Sequence, residues 1–248
     1  MTWQLDGTRA RVHCGDLTAQ VDVEYPSQGV RQIKYQDTSF AGAQILGVTA
    51  CDDQADRHEL PGECHVRGTD LIASYGQPGG AAVAREIYWR AVCDQVANLC
   101  GLELWLSAET RLLDSDPHLV GRSKLPPCEV SYLKRGDAGG LAELANRPGE
   151  QVVLTHDNSD GLLLFRPANC RWSYCEMVHP ADFNRVAIDT FADGHVEWTT
   201  SFFVQERLEK GVIRRARVQG LFVPRSDDVT QILDACRQFA DSQLPLTT

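Results

Sequence analysis

Alternation of apolar and polar positions is the dominant pattern in this chain. Its longest run places Val196, Trp198, Thr200, Phe202 and Val204 against Glu197, Thr199, Ser201, Phe203 and Gln205, the period-two signature of a half-buried strand. Leu208-Glu209-Lys210-Gly211-Val212 then suits a type I turn closed by a glycine bulge. Read on to Pro224, the segment predicts a long hairpin. In that register Trp198 faces Phe222, Phe202 faces Val218 and Glu206 lies opposite Arg214. Two strands of about a dozen residues exceed the usual five or six and imply a large, curved antiparallel sheet.

Similar patterns predict strands over 18–25 and 30–35, parted by a turn at Pro26–Gly29, and over 45–50, 70–75, 83–93 and 102–112. Shorter ones are expected at 151–155, 161–165, 172–178 and 185–191. Residues 51–63 read as a loop, 115–127 with three prolines as a long connection, and 141–145 as one short helix. After Pro224–Asp228, Val229, Ile232, Leu233, Cys236, Phe239 and Ala240 recur at helical spacing, which predicts an amphipathic helix. With no repeat and no linker, the expected fold is all-β. It is a single β-sandwich domain over 1–248, antiparallel and closed by a C-terminal helix.

Composition narrows the partners. A hydrophobic content of 43% supports a substantial core without disulfide or metal staples. The net charge of -10 argues against nucleic acid or an anionic membrane as partner. No apolar run approaches the roughly 18 to 20 residues of a membrane span. The nine cysteines include no C-x-x-C pair. Without an export signal they read as reduced, small hydrophobic residues of a cytoplasmic protein. Phosphate-loop, dinucleotide, serine-elbow and zinc-peptidase motifs are missing, so no cofactor is expected.

The polar faces of the long strands carry the candidate chemistry. One holds Glu86, Tyr88 and Arg90, another Glu103, Trp105, Ser107 and Glu109, and the last Arg215 and Arg217. If those strands are neighbours, Arg90, Trp105, Glu109 and Arg217 form a sugar-binding platform, since rings stack on C–H faces and planar charged groups grip vicinal hydroxyls. A solvated sheet face laced with ion pairs has the same composition. His156 and His179 leave strands for loops, where acid–base residues are often carried and where ordinary turn histidines also lie. Cys51, His58, Cys64 and His65 are metal-ligand types, but their spacing matches no zinc motif, and Cys64 and His65 point to opposite strand faces. No metal is expected.

The opening pattern from Leu17 to Gly47, Arg67-Gly68-Thr69-Asp70-Leu71 and Leu112–Pro117 resemble the galactose-mutarotase-like supersandwich superfamily, in an uncharacterised bacterial branch. That resemblance implies a large antiparallel supersandwich, a small-molecule carbohydrate ligand and an aldose 1-epimerase-like isomerase. It further implies a histidine acid in a His-x-Tyr-Phe-like segment, matched loosely by His179–Phe183, with His156 beside it and a late-strand carboxylate base at Glu206. The alternative is a non-catalytic interaction or self-assembly protein that uses Phe203 and Trp105 as exposed anchors.

Overall fold

The alternation read from the sequence becomes a ladder of antiparallel strands in the computed structural model, which describes residues 2–50, 58–76, 82–94, 99–137, 140–145 and 147–242. In chain order these are β1 (Thr2–Asp6), β2 (Arg9–Cys14), β3 (Leu17–Asp22), β4 (Val30–Tyr35), β5 (Thr38–Ser39) and β6 (Gln44–Ala50). They continue with β7 (Glu63–Arg67), β8 (Asp70–Tyr75), β9 (Val83–Asp94), β10 (Leu99–Thr110), β11 (Leu119–Leu125), β12 (Cys128–Lys134) and β13 (Leu141–Glu143). The last are β14 (Gln151–Thr155), β15 (Ser159–Pro167), β16 (Trp172–Val178), β17 (Arg185–Thr190), β18 (Val196–Phe202) and β19 (Ile213–Pro224). Helix α1 (Asp228–Ala240) follows.

Two large sheets result. The 10-stranded sheet runs β1-β2-β3-β4-β6-β11-β18-β17-β14, with β5 beside β4, and the 9-stranded sheet runs β13-β12-β15-β16-β19-β10-β9-β8-β7. Their inner faces meet in one core. Phe165 of β15 stacks on Trp198 of β18 at 3.9 Å between ring centres, and Tyr35 of β4 stacks on Phe222 of β19 at 5.6 Å. The Trp89 indole of β9 donates to the Leu46 carbonyl of β6 at 3.1 Å. Helix α1 covers part of the outer face of the 9-stranded sheet, where Ile232, Ala235 and Phe239 pack on Leu162, Leu164, Cys175, Met177, Leu221 and Val223. Asp228 fixes its start by accepting two hydrogen bonds from Arg166, each 2.8 Å, and one from Ser173 at 2.7 Å.

The all-β supersandwich and its C-terminal helix match the sequence reading; the long hairpin does not. β18 lies between β11 and β17 in one sheet, while β19 lies between β10 and β16 in the other. The chain crosses between sheets after Phe202, through left-handed backbone at Phe203 and Gln205 (φ 58° and 60°). Buried Leu208 then exchanges backbone hydrogen bonds with Ser115. Trp198 and Phe222 therefore are not cross-strand partners; each packs in the core against Tyr174. The expected turn still forms, with Val212 N–H donating to Glu209 and Gly211 at φ 84°. The Glu206–Arg214 ion pair forms too, at 3.0 Å. Phe203 is buried, so it is not an exposed anchor.

Two other expectations change. The proline-rich connection contains β11, a central strand between β6 and β18. Pro117 and the Pro126–Pro127 pair bound it without entering it. The short helix expected near 141–145 is instead edge strand β13 on β12. No helix among the described residues is long and apolar enough to cross a membrane.

Candidate functional site

Strands β9, β10 and β19 lie side by side, with Arg90 opposite Glu103, Tyr88 opposite Trp105, Trp105 opposite Arg217 and Glu103 opposite Gln219. Alternation sends Ile87, Trp89, Leu102, Leu104, Ala216 and Val218 into the core and these polar partners to the outer face. Of the four residues expected to form a platform, Arg90, Trp105 and Arg217 thus stand side by side on neighbouring strands, and Glu109 does not join them. Helix α1 ends beside it, and the step between helix and sheet is a pocket of about 420 Å³. Arg90, Asp94, Glu103, Trp105 and Gln219 line it from the sheet, with Gln238, Phe239 and Ser242 from the helix end.

Arg90, Glu103 and Arg217 are each held by charged or polar neighbours. Arg90 donates from Nε and Nη2 to the two carboxylate oxygens of buried Asp70, at 2.7 and 3.0 Å, which pushes its pKa up. Its guanidinium carbon sits 3.9 Å from the centre of the Trp105 ring. Burial raises the Glu103 carboxyl above its ordinary value, while the Trp105 indole, Arg90 and Arg217 pull it back. The Trp105 Nε1 is buried without a well-formed hydrogen bond of its own, although it still acts on Glu103. Arg217 is only 4% exposed. It donates through Nη1 to the Ser242 carbonyl and hydroxyl, both at 3.0 Å, and ties the end of α1 to the sheet. Asp182 lies 3.7 Å from its Nε; burial raises that carboxyl to about 6, against the pull of Arg217.

The structure brings Arg90 and Trp105 together in the pocket, with Arg217 directly beside them. His179 stands behind Arg217, against Phe239 of the helix. Its Nδ1 accepts from the Ala181 N–H at 3.2 Å, so the proton lies on Nε2, which donates to the Ala240 carbonyl at 3.2 Å. Burial and the Arg217 charge lower its pKa, keeping it neutral. Glu206 is close enough to Asp182 to raise it, but is engaged with Arg214 and does not line the pocket. His156 follows β14 on the other sheet, exposed and 3.3 Å from Asp157. Glu109 is exposed near the far end of β10, opposite Ile213. His58 pairs with Glu24 at 3.5 Å, and Cys64 and His65 alternate along β7, while Cys51 lies outside the described residues.

The sequence reading left Asp70, Gln219, Gln238 and Ser242 out of the site. Asp70 and Gln219 were legible in principle as cross-strand neighbours of Arg90 and Glu103, once the order β8-β9-β10-β19 is known. Gln238 and Ser242 arrive only through docking of α1.

No family model matches the chain, and no curated protein is similar to it in sequence. Solved structures are similar in fold. An α-N-acetylgalactosaminidase (NagBb) of Bifidobacterium bifidum, in complex with GalNAc, aligns with a TM-score of 0.55 at 12% identity over 97% of this chain and 38% of that one. A GalM/aldose epimerase homologue from C. elegans aligns at 0.52 and 8% identity, over 86% of this chain and 97% of the other. A Klebsiella pneumoniae protein proposed to be an aldose 1-epimerase aligns at 0.53 and 8% identity, over 99% and 90%. The chain has the galactose-mutarotase-like supersandwich fold. It spans about two fifths of the length of the glycosidases of this fold, for example 39% of the α-galactosidase from Lactobacillus brevis.

Proposed function

We propose that this protein binds a carbohydrate in the pocket between α1 and the outer face of β9, β10 and β19. The observation that carries this reading is the set Trp105, Arg90, Glu103, Gln219 and Gln238 around one pocket of about 420 Å³. An aromatic surface takes the C–H face of a sugar, and planar amides and carboxylates take its hydroxyls in pairs. The indole N–H of Trp105, buried without a well-formed hydrogen bond, gains an acceptor when a hydroxyl enters. The volume falls within the range of small-molecule sites. The fold neighbours whose names refer to sugar chemistry support the ligand class by analogy of fold.

A second reading, anomer exchange of the aldose 1-epimerase kind, is favoured by Glu103. That reaction needs a proton donor and acceptor flanking the sugar ring. Burial holds Glu103 toward its protonated form, and Asp94 lines the same pocket. This reading moves proton transfer away from His179, His156 and Glu206. Both His179 nitrogens are committed to the backbone, and the other two stand outside the lining.

A thermal-shift panel of mono- and disaccharides and sugar phosphates tests the binding reading. A ligand at about 100 times its dissociation constant adds roughly 2.7 kcal/mol of stability, and Trp105→Ala should abolish the shift. A blank panel with well-folded protein overturns the reading. With a binding sugar in hand, loss of anomer exchange in Glu103→Gln supports the second reading, and unchanged exchange removes it.

A further inference from the structure

Three cysteines from two sheets converge at one end of the sandwich. Cys14 closes β2 of the 10-stranded sheet, whereas Cys93 and Cys100 stand directly opposite each other on β9 and β10 of the 9-stranded sheet. Their three sulfurs all lie within 4.8 Å of one another, with Cys93 and Cys100 at 2.8 Å. Cys14 and Cys100 are buried and Cys93 is half-buried, so the group is reached from one side.

The backbone is shaped around these sulfurs. Gly15 turns the chain at φ 57°, and a Cβ there would stand 2.8 Å from the Cys100 sulfur and 2.9 Å from that of Cys93. The next residue, Asp16, donates its backbone N–H to Cys100. Tyr35 approaches the same sulfur with its hydroxyl. The Cys14 thiol itself donates to the Val92 carbonyl at 3.2 Å.

Isolated buried cysteines behave as small hydrophobes, and that accounts for Cys175 on the helix-covered face. It does not account for three sulfurs turned onto one point with N–H and O–H donors aimed at one of them. Thiolates around one tetrahedral ion stand about 3.8 Å apart, from bonds of about 2.3 Å; all three sulfurs lie within 4.8 Å of one another, and the Cys93–Cys100 pair at 2.8 Å opens by about 1 Å to take the ion. Donors to a ligating sulfur are the usual outer support of a thiolate site.

We propose that Cys14, Cys93 and Cys100 form a three-thiolate site for a thiophilic d10 cation of the Zn2+ class, with the fourth position open on the Cys93 side. Soft sulfur ligands select such ions over Mg2+ or Ca2+. Binding ties β2 of one sheet to the β9–β10 pair of the other.

The full chain, fully reduced and stripped with a chelator, is titrated with Cd2+ and with Zn2+ against a chromophoric competitor. The expected result is one ion per chain, a sulfur-to-cadmium charge-transfer band and a rise in melting temperature with Zn2+. Cys14→Ser and Cys93→Ser should each weaken binding at least tenfold, while Cys64→Ser, away from the cluster, leaves it unchanged. Melting of each metal-free variant verifies folding, and Cys93→Ser, at the half-buried position, is the variant least able to perturb it. Absence of the band, or folded Cys14→Ser and Cys93→Ser variants that bind like wild type, overturns the proposal.

Discussion

Arg90 is sandwiched between Trp105 and Asp70: its guanidinium lies 3.9 Å from the indole ring centre while Asp70 grips Nε and Nη2. Cation–π stacking and a bidentate carboxylate together fix the plane of the group, so it meets a ligand already oriented. Asp70 itself does not line the pocket. Asp70→Asn removes the charge and half of the grip without touching the ligand. We expect sugar affinity to fall about tenfold, or about 1.4 kcal/mol, measured by calorimetric titration with the sugar found in the panel.

Docking of α1 builds one wall of the pocket. Ile232 is fully buried on the sheet, and Ile232→Asp places an unpaired charge there. The expected loss is about 3 kcal/mol or more in chemical denaturation, together with loss of sugar binding. A wild-type midpoint would contradict the docking.

Glu176 is a carboxyl inside the core between the sheets. It accepts from Trp198 at 2.7 Å, Ser123 at 2.8 Å and Tyr174 at 2.9 Å. Burial raises its pKa, while those three donors pull it back. Glu176→Ala strands three buried donors, each worth about 1–3 kcal/mol when unsatisfied, and should cost about 3 kcal/mol or more. Glu176→Gln keeps the shape and polar atoms of the neutral acid and should cost clearly less. Equal losses in urea denaturation would contradict this role.

Acid–base behaviour separates two aspartates. Asp182 is raised to about 6, chiefly by burial. Its contribution to stability is therefore fully present below its unfolded value of about 3.9 and is lost as pH rises through about 6. The scale is up to about 3 kcal/mol. Asp228 behaves oppositely. Burial alone would raise it, but Arg166 and Ser173 hold it low, so its contribution is present above about 3.9 and is lost on acidification. Asp182→Asn should flatten the stability profile between about pH 4 and 6, in melts across that range. An unchanged profile would contradict the Asp182 assignment.

Many strand positions were legible because alternation depends only on a strand and the core it faces, although β1, β2, β7 and β12 were not read from it. β18 shows this residue by residue, Val196, Trp198, Thr200 and Phe202 buried and their neighbours half-exposed. Pairing was not legible. An alternating strand satisfies its apolar face equally well beside its chain neighbour or across the core from it, and β18 and β19 take the second course. The adjacent pair Phe202–Phe203, both buried, breaks the alternation where the chain changes sheets, and was the available signal. β11 escaped notice because its buried face carries Gly121 and Ser123, not large apolar residues, so the alternation with half-exposed Arg122 and Lys124 is faint. Within the site, Arg90 and Trp105 stood out by residue type. The buried ion partner Asp70 and the helix-borne Gln238 depend on tertiary neighbours that the linear pattern does not encode.

Intrinsic fluorescence offers the most direct test of the central claim. Of the five tryptophans, Trp3, Trp89, Trp172 and Trp198 are buried, and Trp105 alone lines the pocket. Titration with the sugars of the panel should give a saturable change in emission from wild-type protein and none from Trp105→Phe. The same saturable change in Trp105→Phe, or no change with any sugar, would contradict carbohydrate binding at this pocket.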